Sequence, residues 1–201
     1  TLTSASGSKE YDASSLTNYS VAVSGDGFVA GQGASFNVTG SQLDVGSSAN
    51  SFTYTLNDGT NADNYNITVE TGTLTVTPYA EVITITADSA SKTYDGTALA
   101  ASGYTYTGSL AAGDTLVVTV GGSITDAGTG VSTVTSYKVM RGDVDVTGNY
   151  TFGASIDGTL TVNKRNVTLT SASGSKEYDA SSLTNNSVAV SGDGFVDGQG
   201  A

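Results

Sequence analysis

The chain has 201 residues, of which 19 are acidic and only seven are lysine or arginine, and its formal net charge is −12. This acidity argues against nucleic acid, which needs clustered basic residues, and against anionic membrane surfaces, so we expect neither nucleic-acid binding nor membrane insertion of this segment. Because histidine and cysteine are absent, the usual general bases and nucleophiles are missing, and we predict no catalytic residues and no enzyme.

The chain is a tandem array, because its last part repeats its first part. Residues 168–201 match residues 1–34 at all but two positions, where Asn186 replaces Tyr19 and Asp197 replaces Ala30. Near-identity over this length indicates a duplicated structural unit.

A weaker repeat lies inside the first. The motif Lys-x-Tyr-Asp recurs at Lys9, Lys92 and Lys176. We therefore predict a β-sandwich repeat A over 1–80, a β-sandwich repeat B over 81–164, and a truncated start of a further repeat, C, over 165–201. The chain is then expected to be a window from a longer array. Since 37 residues bury little apolar surface, repeat C is predicted to be poorly ordered or completed by a neighbouring chain.

Alternating apolar and hydroxyl residues predict half-buried β-strands with threonines facing outward. In chain order these runs are Phe52–Leu56, Thr73–Thr77, Ile83–Thr86 and Thr159–Val162. The run Leu116–Val120 is more continuously apolar and is expected to be a more buried strand. Glycine-rich turns separate the runs, and no helical period occurs. About seven short strands per repeat with hairpin-like connections indicate antiparallel β-sandwiches with almost no helix.

A tyrosine near the end of each repeat refines this fold class. Asn64-Tyr65 and Asn149-Tyr150 resemble the immunoglobulin-type pattern in which a tyrosine follows a tight corner. The resemblance implies that the tyrosine-corner hydrogen bond falls to Tyr65 and Tyr150. The disulfide and core tryptophan of antibody domains are absent, so the resemblance is to the wider immunoglobulin-like group. We expect tandem immunoglobulin-like antiparallel β-sandwich domains arranged end to end.

One turn of repeat A is a candidate calcium site. Asp58, Asn61 and Asp63 place oxygen donors at close spacing, as hard cations require. The alternative is ordinary turn chemistry, because Asp and Asn favour turns. No other cofactor is expected.

Two lysine–asparagine pairs are candidates for an intramolecular isopeptide bond between early and late strands. They are Lys9 with Asn64 and Lys92 with Asn149. Such a bond needs a buried carboxyl group nearby. The alternative is that both lysines are solvated edge charges that discourage sheet-to-sheet pairing.

The tripeptide Arg141-Gly142-Asp143 is an integrin-type motif. It is short enough to arise by chance, and we expect no function from it.

The segments between repeats are short. Pro78 lies between two predicted strands, where its missing N–H costs no ladder bond. Linkers of a few residues limit bending, so we expect head-to-tail stacking into a semi-rigid rod. The expected partners are neighbouring repeats of the same chain, and other copies through exchange of equivalent strands.

The motifs together resemble a known repeat family. Lys92-Thr93-Tyr94-Asp95-Gly96, the late Asn-Tyr pairs, and the closing Gly-Thr-Leu-Thr-Val at Gly72 and Gly158 look like the MBG (mostly beta, glycine-rich) and YDG repeats of large bacterial surface adhesins. Repeat A departs from the motif at Ala13. The resemblance implies an extracellular, cell-surface stalk or spacer with no catalytic residue. The alternative is an adhesive module whose units bind a glycan or a host protein.

Overall fold

The structure is a computed structural model that describes residues 1–201, and it is all-β. Its only helical segments are two single 3₁₀ turns, Ala62–Asn64 and Thr147–Asn149, so the prediction of almost no helix is confirmed. No helix has the length and apolar character needed to span a bilayer. The strands, in chain order, are β1 (Leu2–Ser4), β2 (Gly7–Glu10), β3 (Val21–Val23), β4 (Ala34–Val38), β5 (Gly46–Ala49), β6 (Phe52–Leu56), β7 (Val69–Glu70), β8 (Thr73–Thr77), β9 (Val82–Ala87), β10 (Ala90–Thr93), β11 (Tyr104–Thr107), β12 (Thr115–Gly121), β13 (Gly128–Arg141), β14 (Val144–Asp145), β15 (Thr151–Phe152), β16 (Gly158–Asn163), β17 (Val167–Ser171) and β18 (Val188–Gly192).

The alternating runs form strands at the predicted places, and the closing strands show the predicted alternation most clearly. In β8, Leu74 and Val76 are fully buried while Thr73 and Thr77 are exposed. The pleat sends successive side chains to opposite faces, so the threonines cover the outside. The expectation for β12 is wrong, because this strand alternates too and Val117 is more than half exposed.

The strand pairing is mixed, which corrects the expectation of hairpin-like antiparallel connections throughout. In repeat A, β1 pairs antiparallel with β3 and parallel with β7, and β2 pairs parallel with the closing strand β8. In repeat B, β10 pairs parallel with β16, and β9 pairs parallel with β15. A parallel pair needs a long crossover, and the rest of the repeat supplies it. The opening and closing strands of each repeat are therefore neighbours.

A glycine in each closing motif permits this arrangement. A Cβ on Gly72 would lie 2.5 Å from the carbonyl oxygen of Ser4, and a Cβ on Gly158 would lie 2.2 Å from that of Asp88. In each repeat, the backbone at the turn between the first two strands lies directly against this glycine. Only glycine fits so close an approach, which explains the first residue of Gly-Thr-Leu-Thr-Val.

Residue contacts group the chain into two compact units. The first comprises Thr1–Ile85, Tyr106–Val118 and Tyr137–Ala154, and the second comprises Thr86–Thr105, Thr119–Ser136 and Ser155–Ala201. The first unit thus contains all of repeat A with parts of repeat B. The repeat boundaries near residues 80 and 164 stay predictions from the sequence. The buried apolar residues of the first unit are Leu2, Tyr11, Phe52, Leu74, Val76, Ile83, Ile85, Ala111, Val139, Val146 and Tyr150. Those of the second are Ala87, Leu160 and Val162.

Candidate functional site: the junction between repeats A and B

The Lys-x-Tyr-Asp motif forms the same compact turn in all three places where it occurs. The Lys9 ammonium donates to Asp12 Oδ1 at 2.6 Å and to the carbonyl and hydroxyl oxygens of Ser14 at 2.5 and 2.7 Å. The Ser14 N–H also donates to Asp12 Oδ1, at 2.8 Å. The hydrogen bonds from Lys9 and Ser14 lower the pKa of Asp12 to about 2. All of these contacts recur at Lys92, Asp95 and Thr97. At Lys176, Asp179 and Ser181 the bonds to the carboxylate and the hydroxyl recur.

The tyrosine of the first turn extends into a cluster of residues from repeat B. Tyr11 is only 1% exposed, and its ring packs edge-on against the ring of Tyr150 with 5.6 Å between centroids. The two hydroxyl groups donate to the same oxygen, Asp114 Oδ2, at 3.2 and 2.5 Å. The Ala111 N–H donates to the Tyr150 hydroxyl at 3.0 Å. Repeat A is thereby held to a turn of repeat B through a shared carboxylate.

Arg141 completes this cluster. Its Nε donates to Asp114 Oδ1 at 2.8 Å, its Nη2 to the Tyr11 hydroxyl at 2.7 Å, and its Nη1 to the carbonyl oxygen of Ala13 at 3.2 Å. The Arg141 guanidinium carbon lies 5.4 Å from the Tyr11 ring centre, within cation–π range. All three guanidinium nitrogens of this arginine, which belongs to the integrin-type tripeptide, are therefore engaged in the junction. We call Tyr11, Asp114, Arg141 and Tyr150 the junction cluster.

The electrostatics of the junction cluster keep both tyrosines neutral. Asp114 has a fully buried side chain, and its charge is balanced by Arg141, whose side chain is 27% exposed. Burial is the main cause that raises the pKa of Tyr150, and the neighbouring Asp114 adds to it. Burial likewise raises the pKa of Tyr11. The hydrogen bond to Asp114 raises the pKa of Arg141 further above its ordinary value. A buried ion pair of this kind fixes geometry, and breaking it leaves an uncompensated charge.

Asn149 makes a second contact between the repeats. Its side-chain oxygen accepts from the Val45 N–H at 2.8 Å, and its amide nitrogen donates to Asp44 Oδ1 at 2.8 Å. Its carbonyl oxygen accepts from the Tyr79 N–H at 3.0 Å, and the Tyr79 ring lies 5.5 Å from that of Tyr150. Asn149 is 4% exposed. Repeat A is thus fixed to repeat B at two separate places, besides the linker itself.

Repeat A has a similar hydrogen-bond arrangement around its own late tyrosine, Tyr65. The Val29 N–H donates to the Tyr65 hydroxyl at 3.2 Å, and that hydroxyl donates to Gln32. These residues correspond to Ala111, Tyr150 and Asp114 in repeat B. Beside them lies an open cleft of about 420 Å³, whose walls include Phe28 and Tyr65, with 5.1 Å between the two ring centres. The face that receives Tyr11 in repeat B therefore has a counterpart in repeat A.

The predicted corner tyrosines both make a hydroxyl–backbone hydrogen bond. The partners, however, are Val29 for Tyr65 and Ala111 for Tyr150, 36 and 39 residues upstream. A local corner would place the partner only a few residues away. Each tyrosine thus holds a turn that is distant in sequence. Tyr65 holds the turn that contains Gln32, and Tyr150 holds the turn that contains Asp114.

The predicted lysine–asparagine pairs do not hydrogen-bond to each other. Lys9 is engaged with Asp12 and Ser14, and Lys92 with Asp95 and Thr97. The Asn149 side chain is engaged with repeat A, and the Asn64 backbone N–H donates to the Asn61 carbonyl at 3.1 Å. The acid beside each lysine is largely exposed. The isopeptide bond stays a prediction that no contact supports.

Of the candidate calcium residues, Asp58 and Asn61 precede the 3₁₀ segment Ala62–Asn64, and Asp63 lies within it. The Asn61 side-chain oxygen accepts from the Asp63 N–H at 3.1 Å and caps that segment. No group of three or more acidic side chains in the chain is placed to hold a metal ion. Calcium binding by Asp58, Asn61 and Asp63 stays a prediction.

Sequence reasoning did not find Asp114 as a site residue, and it assigned Arg141 only to a chance motif. Asp114 follows Gly113 in an ordinary turn context, which carries no signal of burial. The sequence signal that could have identified Asp114 is the alignment of repeat B with repeat A, in which Asp114 takes the place of Gln32. An acid there requires a nearby cation, and Arg141 is one of four basic residues in repeat B.

Comparison with known proteins leaves the family open. No family model, no curated protein and no solved structure matches the chain. The likeness to MBG and YDG repeats therefore rests on the sequence motifs alone.

Proposed function

We propose that this chain is part of a structural spacer, a stalk segment of a bacterial cell-surface adhesin or extracellular fibre. The observation that carries the proposal is the junction cluster, in which the turn of one repeat is bound to a buried ion pair of the next. A spacer must hold its ends apart, which requires neighbouring repeats to resist bending. Tandem immunoglobulin-like sandwiches joined end to end are the arrangement that we propose for the repeats.

The polarity of the junction suits a repeating array. The repeat A side contributes the Lys-x-Tyr-Asp turn, and the repeat B side contributes the tyrosine-held turn with Asp114. Repeats A and B each have both elements, since the turn motif recurs at Lys92 and the tyrosine-held turn recurs at Val29 and Tyr65. Such a head-to-tail contact can be propagated without limit, as heterologous interfaces allow.

The surface chemistry is consistent with an extracellular location. The outward threonines and the net charge of −12 give a polar, acidic surface that resists association at high local density. The proposed location is the outer surface of a bacterium, as the resemblance to MBG and YDG repeats implies.

The spacer proposal is tested by measuring motion across the junction in the whole chain. Backbone ¹⁵N relaxation is expected to give one rotational correlation time for repeat A and for residues 106–118 and 137–154. The double variant Arg141→Met, Asn149→Ala is expected to separate the two values while both parts stay folded. The control Lys138→Ala removes an exposed ion pair with Asp145 and is expected to change nothing. Different correlation times in the unaltered chain would contradict a rigid spacer.

The cleft beside Phe28 and Tyr65 supports a second candidate function, a glycan- or protein-binding module. Aromatic rings beside a concave surface are typical of sugar sites, and this cleft holds two. A glycan array probed with the whole chain tests it, with Phe28→Ala as the matched variant. Saturable binding that Phe28→Ala abolishes would favour the binding module over the spacer. We expect no saturable binding.

A further inference from the structure

The Lys-x-Tyr-Asp turn of repeat B makes a contact of its own, with the first glycine-rich loop of repeat C. The Gln199 side-chain nitrogen donates to the Tyr94 hydroxyl at 2.9 Å. A Cβ on Gly96, two residues after Tyr94, would lie 3.1 Å from Cγ1 of Val196. The turn of repeat B therefore lies against residues 196–199, and we call this contact the second junction.

The linker between repeats B and C takes part in the second junction. Arg165 Nη1 donates to the Tyr94 carbonyl oxygen at 3.1 Å, and its Nε donates to the Gly194 carbonyl oxygen at 2.8 Å. Its Nη2 donates to the Asp193 carbonyl oxygen. Arg165 thus joins the turn to the loop through backbone oxygens, whereas the arginine of the junction cluster pairs with a buried carboxylate. The two junctions share a tyrosine turn and an arginine but differ in chemistry.

The loop of the second junction has the same conformation as its copy in repeat A. The Gln199 N–H donates to the Val196 carbonyl oxygen at 2.9 Å, and the Gln32 N–H donates to the Val29 carbonyl oxygen at 3.0 Å. The glycine before each glutamine is left-handed, with φ of 81° in repeat C and 82° in repeat A. The loop therefore keeps its shape where the rest of a repeat follows it, and that shape is set by its own sequence.

The two junctions differ in side-chain size at one position of the turn and one position of the loop. Val196 is the copy of Val29, whose N–H donates to the late tyrosine of its repeat as the Ala111 N–H does in repeat B. The loop position is therefore valine in repeats A and C, the A-type repeats, and alanine in repeat B. Two residues after the motif tyrosine, the turn has Ala13 in repeat A and Gly96 in repeat B. The glycine turn thus meets a valine loop, and the alanine turn meets an alanine loop.

An alanine turn against a valine loop would be overcrowded. Non-bonded carbon atoms pack at about 3.5–4.0 Å, so a Cβ at 3.1 Å from Val196 Cγ1 is too close. Valine is stiff about χ1 because it branches at Cβ, and the hydrogen bond from Gln199 holds the Val196 backbone in its turn. The turn of repeat B lacks one methyl group at the point where the A-type loop has two more.

We propose that this pair of positions selects which repeat follows which in the array. A glycine turn, as in repeat B, closes onto the valine loop of an A-type repeat. An alanine turn, as in repeat A, closes onto the alanine loop of repeat B and is rejected by a valine loop, because specificity comes from the clash with the wrong partner. Two A-type repeats in succession leave their junction open, so the closed array alternates. This inference rests on the proposed spacer function, since a spacer needs every junction closed.

The first experiment is a substitution cycle at positions 96 and 196 of the whole chain. Its readout is the nuclear Overhauser cross-peak between the Gln199 side-chain amide and the Tyr94 ring, which reports that the second junction is closed. Gly96→Ala is expected to abolish the cross-peak and Val196→Ala to retain it. The double variant Gly96→Ala, Val196→Ala is expected to restore it. A cross-peak that survives in Gly96→Ala would overturn the proposal, and so would its absence from the double variant or from the unaltered chain.

Gly59→Ala is the matched control for backbone strain. Gly59 has φ of 82° and Gly96 has φ of 81°, but a Cβ on Gly59 meets no atom within 4 Å. Both substitutions force alanine into the left-handed region, and the one at position 96 also crowds Val196. The cross-peak is expected to persist in Gly59→Ala. Its loss there would show that strain rather than size opens the junction, which would overturn the proposal.

The second experiment makes the reciprocal change at the junction of repeats A and B. Ala111→Val gives repeat B the loop residue of an A-type repeat, and it is expected to abolish the cross-peaks between the Tyr11 and Tyr150 rings. Adding Ala13→Gly is expected to restore them. Cross-peaks that persist in Ala111→Val, or that Ala13→Gly does not restore, would overturn the proposal. Both cycles leave unchanged the correlation times of the unaltered chain, so size selection can fail while the spacer proposal holds.

Discussion

The hydroxyl groups of Tyr11 and Tyr150 converge on a single carboxylate oxygen of Asp114, although the two tyrosines belong to different repeats. Their rings meet at 81°, so the edge of one faces the other. The pair combines apolar burial with a charge-assisted hydrogen bond, which is the stronger kind. Each tyrosine belongs to a motif of its own repeat. The contact between the two repeats is therefore made by tyrosines of the repeated motifs themselves.

Removing the shared carboxylate should destabilise the first compact unit. Asp114→Ala leaves Arg141 without its counterion and two tyrosine hydroxyls without their acceptor. We expect a loss of about 2 kcal/mol in the free energy of unfolding, below the cost for a wholly buried pair because Arg141 is partly solvated. Urea denaturation checks this. Lys138→Ala breaks an exposed pair at 3.0 Å and should cost no more than about 0.5 kcal/mol. Equal losses from both variants would refute a special role for Asp114.

The raised tyrosine pKa values predict a loss of stability at alkaline pH. The folded protein holds the phenols of Tyr11 and Tyr150 protonated where the unfolded chain releases the protons, above the ordinary value of about 10. Their contribution is fully present below about pH 10 and is lost as pH rises beyond it. The melting temperature of the unaltered chain should therefore fall above about pH 10. In Tyr150→Phe the melting temperature should start lower, and it should fall less steeply. Parallel pH profiles for the two chains would count against this account.

The turn of the first motif contains a residue under backbone strain. Ala13 has φ of 71°, a left-handed conformation that costs a non-glycine residue about 1 kcal/mol, and Gly96 holds the same position in repeat B with φ of 81°. Ala13→Gly relieves that strain but adds freedom to the unfolded chain, so we expect a net gain of about 0.5 kcal/mol. Gly96→Ala should cost about 1 kcal/mol. Thermal melting of both variants is the measurement. If both substitutions shifted the melting temperature in the same direction, this position would not be one that favours glycine.

The closing-strand glycine should not tolerate a side chain. Gly72→Ala would bring a methyl group to 2.5 Å from the backbone of Ser4 and Ala5. Neither of these two backbone segments can move away without breaking the β2–β8 ladder. We expect a loss of about 2 kcal/mol or more, as for overpacked cores. Gly148→Ala meets no atom within 4 Å and should change stability by less than about 0.5 kcal/mol. The prediction fails if chemical denaturation gives similar midpoints for both variants.

Local patterns in the sequence predicted the local structure well. Alternation at Phe52–Leu56 and Thr73–Thr77 located strands β6 and β8, because a half-buried strand needs one apolar face. The Asn-Tyr pairs located the tyrosines whose hydroxyls hold a backbone N–H. The strands depend on residues close in sequence, whereas the backbone partners of the two tyrosines lie 36 and 39 residues away and were not predicted.

Long-range pairing could not be predicted in the same way. Nothing in Gly7–Glu10 or Thr73–Thr77 indicates whether the two strands run parallel or antiparallel, since the alternation is identical in either case. Asp114 and Arg141 do not share a motif, and only their approach in space makes them a pair. The role of Gly72 likewise depends on a backbone that crosses it from a distant part of the chain. Such contacts are properties of the tertiary fold, which local periodicity does not encode.

The parallel ladder between β2 and β8 has a mechanical consequence. One strand lies near the beginning of repeat A and the other near its end, and they are joined through four residue pairs from Gly7 opposite Leu74 to Glu10 opposite Thr77. When the two ends of the repeat are pulled apart, tension runs along both strands in opposite senses. The hydrogen bonds are then sheared together, whereas a hairpin pulled at its open end would unzip one bond at a time. Under tension, all hydrogen bonds of the ladder in each repeat therefore bear the load together, which gives the repeat a higher resistance to extension than a hairpin that unzips.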